Sequence, residues 1–268
     1  MINSSEIESI IAGVQQQVNT CQDKVSLLSF VLSCVDLTTL EGVDNDSKVE
    51  QLSMKAQSFC PQVASVCVYP IFVKTVKSIL QNTSIGVTSV AGAFPSGQTP
   101  LAIKLSEVDF AIQQGADEID MVISRGKFLD KQYAEVSKEI EAVKKLCNYR
   151  PLKVILETGE LQTIENIYNA SMLAMEAGAD FIKTSTGKCV VNATPQAVVV
   201  MSQAIKDFYA KQGKRVGLKI AGGITNTDDA LMYRQLVKNI LGESWLKKQY
   251  FRIGTSRLAD KLQSQITQ

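Results

Sequence analysis

Residues 115–120 read Gly115-Ala116-Asp117-Glu118-Ile119-Asp120, and residues 178–183 read Gly178-Ala179-Asp180-Phe181-Ile182-Lys183. Both follow the frame Gly-Ala-Asp-x-Ile-(charge). A glycine suits the left-handed turn that stops a helix, and the run after each glycine has the apolar, branched character of a strand. Each stretch is therefore read as a joint from a helix into a strand, leading into the fourth and sixth strands of the chain. Side chains alternate along a strand, so Asp120 and Lys183 point to one side and Ile119 and Ile182 to the other. In a closed barrel, even-numbered strands feed the same interior layer. A carboxylate and an amine then stand at equal height within an apolar wall. Unpaired buried charge is costly, so the two form either a structural ion pair or a reaction centre.

Outward from these joints the alternation continues. Strand candidates fall at 31–37, 63–69, 85–91, 118–123, 152–157, 181–185, 216–220 and 251–254. Helical faces lie between them: Leu101, Leu105, Val108 and Ile112; Tyr133, Val136, Ile140, Val143 and Cys147; Ala230, Tyr233, Val237 and Leu241. Gly115, Gly178 and Gly213 sit where helices stop, while Thr194-Pro195 and Thr227-Asp228-Asp229 read as helix starts. Ile7, Ile10, Ile11, Val14 and Val18 share one face, which predicts a packed helix over 3–18 within an N-terminal extension, 1–30. Strands apolar on both faces and joined by helices imply a parallel sheet. Eight such units favour an α/β fold of one (β/α)8 TIM barrel over residues 1–268, with an extra N-terminal helix, above an open doubly wound sheet.

Composition narrows the chemistry. Apolar residues make up 45% of the chain and charged residues 21%, as in a globular protein with a sizeable core. A net charge of +1 gives no electrostatic argument for nucleic acid or an anionic membrane. No apolar run approaches a spanning helix, and the N-terminus, with Glu6 and Glu8, does not look like a targeting segment. Six cysteines without a C-x-x-C pair are expected to be mostly reduced and buried, which suits the cytoplasm. The chain has no histidine. Ser-His and Cys-His nucleophile pairs are thereby excluded, and proton transfer falls to Lys, Asp, Glu, Tyr or Cys. No metal site and no cofactor are expected.

Lys219, in Val216-Gly217-Leu218-Lys219-Ile220-Ala221-Gly222-Gly223, repeats the placement of Lys183 on the next strand. Neighbouring strands lie about 4.8 Å apart, so two inward ammonium groups would crowd each other. Repulsion and partial burial both favour a neutral amine, the form that attacks a carbonyl. Gly222-Gly223 and Gly254-Thr255-Ser256 follow the seventh and eighth strands, where barrels often build a phosphate site from backbone N–H groups.

Residues 181–188 (FIKTSTGK), continued by Val191-Asn192-Ala193-Thr194-Pro195, resemble the Schiff-base strand and loop of the deoxyribose-phosphate aldolase family. So do 117–123 (DEIDMVI), 34–40 (CVDLTTL), 66–70 (VCVYP), 155–161 (ILETGEL), 217–223 (GLKIAGG) and 251–256 (FRIGTS), in order from about 31 to 260. The wording at 169–175 and 205–208 is closer to the family's eukaryote-like branch. The resemblance implies a class I aldolase that cleaves 2-deoxyribose 5-phosphate to glyceraldehyde 3-phosphate and acetaldehyde. Lys183 would form the imine, Lys219 would tune it, and Asp120 would drive the proton relay. Asp36 would orient Lys219, and Cys67 would line the pocket. Thr186 and Lys188 would meet sugar or phosphate oxygens, with Gly222, Gly223, Gly254 and Ser256 around the phosphate. A homodimer is also implied.

The chain departs from the family's pattern at several positions. Ile220 replaces a common Pro, and Thr225 a common Arg. Arg257 follows Ser256 where Ser or Thr is usual, and the strand-3 loop reads Ala93-Phe94-Pro95. The chain ends Ile266-Thr267-Gln268 without the tyrosine that some members place in the active site. The readings that compete are another lysine-dependent sugar-phosphate aldolase and a non-catalytic phosphate-binding barrel.

Overall fold

The computed structural model describes residues 3–19 and 23–267. Eight parallel strands form a closed barrel in chain order: β1 (Val35–Thr38), β2 (Ser65–Val68), β3 (Gly86–Ala91), β4 (Glu118–Val122), β5 (Leu152–Ile155), β6 (Phe181–Lys183), β7 (Gly217–Ala221) and β8 (Phe251–Thr255), with β8 pairing back to β1. Before the barrel come α1 (Ser4–Asn19) and α2 (Lys24–Ser33). Around it follow α3 (Asp46–Ser58), α4 (Val73–Leu80), α5 (Leu101–Gln113), α6 (Arg125–Leu129) and α7 (Tyr133–Cys147). The ring is completed by α8 (Ile164–Glu176), α9 (Pro195–Gln212), α10 (Thr227–Leu241) and α11 (Leu258–Ile266).

The expected (β/α)8 TIM barrel and its extra N-terminal helix are both present. Ile7 and Val14 of α1 are buried. Gln17 of the same helix accepts hydrogen bonds from Gln235 (3.1 Å) and Asn239 (2.9 Å) of α10. The first strand differs from its sequence reading, because residues 31–33 are the end of α2 and β1 begins at Val35. Val31, Leu32 and Cys34 are all buried, so an unbroken apolar run hid the boundary between a buried helix and a buried strand. The start of α10 is capped one residue before Thr227, by Asn226, whose side chain accepts the Asp229 N–H at 2.7 Å.

Register explains why the two faces of the wall differ. Directly paired residues on parallel strands share a face, and Lys183 pairs with Lys219, Lys219 with Arg252, and Asp120 with Lys153. All of these look inward. Their sequence neighbours Ile119, Val154, Ile182, Leu218, Ile220 and Ile253 are fully buried on the opposite face, which points away from the lumen. The lumen is thus lined with charge, whereas the outer wall is apolar. Lys153 also pairs with Phe181, two residues before Lys183, so Asp120 and Lys183 are offset by two in register. The stagger of a tilted barrel brings such an offset level, and the two side chains meet.

Candidate active site

Asp120 is the hub of the lumen. Its Oδ2 accepts from Lys183 Nζ at 2.8 Å and from Lys219 Nζ at 2.7 Å. Its Oδ1 accepts from Lys153 Nζ at 2.9 Å. Lys219 also pairs with Asp36 at 2.5 Å. On the other side Asp36 holds Arg252 (2.6 Å) and accepts from Ser65 Oγ (2.7 Å), while Glu118 holds Arg252 (2.7 Å) and Lys153 (2.5 Å). These seven charged side chains come from β1, β4, β5, β6, β7 and β8, and all are buried. Room for Lys219 depends on Gly254, where a Cβ would stand 3.2 Å from Lys219 Cε and 2.9 Å from the Ala221 side chain.

Burial and charge act on these groups in different proportions. Desolvation lowers the Lys183 amine below the usual lysine range, and the like charge of Lys219 adds to it, against the pull of Asp120. For Lys219 and Lys153, burial also works against the charge. Around Lys219 the carboxylates Asp120 and Asp36 outweigh it, and around Lys153 the carboxylates Asp120, Glu118 and Asp36 do so, so both lysines are raised. Asp120 is held well below the carboxylate range, because Lys153, Lys183 and Lys219 together overcome its desolvation. Burial and the neighbouring lysine thus act in the same direction on Lys183, and burial contributes more than repulsion.

The cleft at the C-terminal end of the strands is lined by Lys183, Thr186, Lys188, the Gly222–Gly223 turn, Thr225, and Gly254 through Arg257. Lys183 is the member of the charged network that reaches it. Gly222 and Gly223 have φ of +90° and +78°, a backbone that other residues rarely adopt, and a Cβ on Gly222 would meet Asn192 Oδ1 at 2.5 Å. Thr255 Oγ1 accepts from the N–H groups of Arg257 (3.3 Å) and Leu258 (3.2 Å), fixing the turn into α11.

Other expected site residues sit less simply. Asp36, Asp120 and Lys219 lie beneath the cleft. Cys67 is fully buried there, packed with Leu40 and Val90 rather than bordering the cleft itself, and burial raises its thiol. The Thr186 hydroxyl donates to Glu157, and the Thr186 N–H also reaches Glu157 (3.2 Å). Lys188 reaches across the mouth to Glu41 at 2.9 Å. Among the described residues no group of three or more His, Cys, Asp or Glu side chains comes together to hold a metal ion.

Sequence reasoning missed Lys153, Glu118 and Arg252 as parts of the network. The signal was available in Leu152-Lys153-Val154 and Phe251-Arg252-Ile253, where a cation is flanked by apolar residues as Lys219 is. Glu157 was also missed. Its φ of +58° and its contacts with Thr186 and Arg125 (3.2 Å) make it the clamp on the loop after Lys183.

A pattern described as DeoC/LacD family aldolase matches residues 30–244. A human deoxyribose-phosphate aldolase is 44% identical over 248 residues, covering 87% of this chain and 78% of the relative. One from Agrobacterium fabrum is 40% identical, covering 87% of this chain and 88% of the relative. A crystal structure from Coccidioides immitis, given the same enzyme name provisionally, superposes with a TM-score of 0.76 at 29% identity over 97% of this chain and 98% of the other. Of these two enzymes, the human one is the more similar to this chain, in keeping with the eukaryote-like wording noted at 169–175 and 205–208.

Proposed function

The chain belongs to the DeoC/LacD family of aldolases, and from that premise we propose that Lys183 is the nucleophile of a class I deoxyribose-phosphate aldolase. The observation that carries the residue assignment is the position of Lys183: at the floor of the cleft, with an amine lowered by burial, and one contact away from an ionised Asp120.

The neutral Lys183 amine adds to the C1 aldehyde of open-chain 2-deoxyribose 5-phosphate, the carbinolamine takes up a proton, and loss of water leaves an iminium. The iminium is the electron sink. A base takes the C3 hydroxyl proton, the C2–C3 bond breaks, its electron pair moves toward the iminium nitrogen, and glyceraldehyde 3-phosphate departs. The remaining enamine is protonated at C2, and hydrolysis releases acetaldehyde and the free lysine. Asp120 stays ionised and Lys219 stays protonated under their mutual influence. The pair thus enters the reaction as a proton acceptor and a proton donor joined at one carboxylate oxygen, and a water extends their reach to C3 and C2. Asp36 holds Lys219 from below.

The phosphate sits at the Gly222–Gly223 and Gly254–Ser256 turns, near the start of α11, with Lys188 beside them. The same reading places the enzyme in the cytoplasm, supported by five free cysteines at 34, 60, 67, 147 and 189, while Cys21 lies outside the described residues. Among the described residues no helix is long and apolar enough to cross a membrane. The reading also treats the whole chain as one barrel unit that acts as a homodimer, which light scattering on the purified protein tests.

Acetaldehyde with borohydride tests the imine. One ethyl group should appear, located at Lys183 by peptide mass spectrometry, and a coupled assay should detect glyceraldehyde 3-phosphate released from deoxyribose 5-phosphate. Labelling confined to surface lysines, or an active Lys183→Ala enzyme, would sink the assignment.

A further inference from the structure

The lumen holds an odd number of charges. Four cations, Lys153, Lys183, Lys219 and Arg252, face three carboxylates, Asp36, Glu118 and Asp120. The remaining titratable group that faces Lys183 is Cys67 of β2, whose thiol is raised by burial and stays neutral. From β3 the lumen receives Thr88, which donates to Ser65 (2.9 Å) and Glu118 (3.1 Å) and carries no charge. Above the network, Glu157 is matched by Arg125 (3.2 Å) and Glu41 by Lys188 (2.9 Å). Largely withdrawn from water, a set with one surplus positive charge relieves its cost by releasing one proton.

The contacts say which proton leaves. Arg252 has a guanidinium that does not deprotonate in proteins. Lys153 faces three carboxylates: Glu118 at 2.5 Å, Asp120 at 2.9 Å and Asp36 at 3.9 Å. Lys219 faces two, Asp36 at 2.5 Å and Asp120 at 2.7 Å. Lys183 faces one, Asp120 at 2.8 Å. The lysine with the fewest carboxylate partners is also the one at the cleft.

We infer that Lys153 and Glu118, which lie below the cleft, are positioning residues that set the charge state of Lys183 through the surplus cation held in the lumen. Loss of Lys153 leaves three cations for three carboxylates, so Lys183 keeps its proton to higher pH. Loss of the Glu118 charge leaves four cations for two carboxylates, so Lys183 releases its proton at lower pH. Loss of both restores a surplus of one. The two single changes therefore act with opposite signs, although they remove the two ends of one 2.5 Å ion pair.

The inference rests on Lys183 as the imine-forming residue. Its test is the pH dependence of borohydride trapping of acetaldehyde at Lys183, measured with that of kcat/KM, for the parent, Lys153→Met, Glu118→Gln and the double variant. The acidic limb should rise by about one to two pH units in Lys153→Met, the size expected for removing a nearby charge. It should fall in Glu118→Gln and return toward the parent in the double variant. A purely structural role would lower amplitude at every pH and leave the limbs coincident, which overturns the inference, as does a shift of the same sign in both single variants. If Lys153→Met does not fold, Glu118→Gln decides alone: a lower limb supports the inference, and an unchanged or higher one overturns it. A parent enzyme not labelled at Lys183 would overturn the imine assignment instead.

Discussion

The lumen and the rim of this barrel carry similar residue types and use them differently. In the lumen, Lys219 and Asp120 are fully buried, meet at 2.7 Å and belong to a network that touches solvent only at its edges. At the rim, Lys188 and Glu41 meet at 2.9 Å, yet the Glu41 side chain is 61% exposed. The Coulomb energy of a pair depends on the surrounding dielectric far more than on a few tenths of an ångström. The lumen pair therefore fixes protonation states, whereas the rim pair is weak enough to be exchanged for a ligand. On the proposed function, chemistry belongs to the first region and recognition to the second.

The largest effect that can break this division is at Asp120. Asp120→Asn removes the charge on which three lysines converge but keeps the shape. Turnover should fall by about 10²–10⁴-fold, the usual share of a positioned acid–base group. Acetaldehyde should still be trapped on Lys183, because the amine, with less negative charge beside it, remains neutral. Steady-state assay and trapping on the same preparation read the two quantities, and intact turnover would remove Asp120 from the relay. Stability should also fall, by about 3–5 kcal/mol, since the variant leaves buried cations short of a partner. Thermal unfolding measures that loss separately.

Much of this was legible in the sequence, and what escaped did so for separate physical reasons. The joints at Gly115 and Gly178 placed Asp120 and Lys183 on one face because strand alternation is a rigid rule. The register bears that out, with both glycines at φ of +103°. The end of α2 escaped because Val31, Leu32 and Cys34 are buried whether the backbone is helical or extended. Lys153 and Arg252 escaped for a different reason. A lone cation between apolar residues reads as a side chain that snorkels to the surface, and only closure of the barrel shows that Lys153 has no surface to reach. Glu157 could be read as part of a motif, but its clamp on Thr186 depends on a backbone at φ +58° that no local pattern announces.

An intermediate effect is expected where the rim meets the phosphate turns. The family's usual Arg after the Gly-Gly pair is Thr225 here, and its carbonyl accepts from Lys261 at 2.7 Å. Arg257 borders the same cleft from the strand-8 turn and can supply the missing cation. A charge-assisted hydrogen bond contributes about 1.5–3 kcal/mol, and an exposed site falls toward the lower end, about tenfold. Arg257→Ala should therefore lower kcat/KM for deoxyribose 5-phosphate about tenfold and leave unphosphorylated deoxyribose nearly unchanged. Equal losses on both substrates would place Arg257 outside the phosphate site.

The smallest effect sharpens the comparison most, because its sign is the opposite of a loss. Glu41 holds Lys188 at the mouth of the cleft, and an arriving phosphate dianion must draw that lysine away while passing the carboxylate. The pair is exposed on one side, so it is worth about 0.2–1 kcal/mol. Glu41→Gln should therefore lower KM for the phosphorylated substrate by roughly 1.4- to 5-fold, with kcat unchanged. Salt weakens interactions between exposed charges, with a screening length of about 10 Å at 0.1 M, so the advantage should shrink as salt is added. Unphosphorylated deoxyribose, with no charge to compete for Lys188, serves as the control and should show no change. A higher KM in Glu41→Gln would mean that Glu41 orients Lys188 for the phosphate instead of competing with it. The rim would then be preorganised like the lumen, and the division between the two regions would fail at this pair.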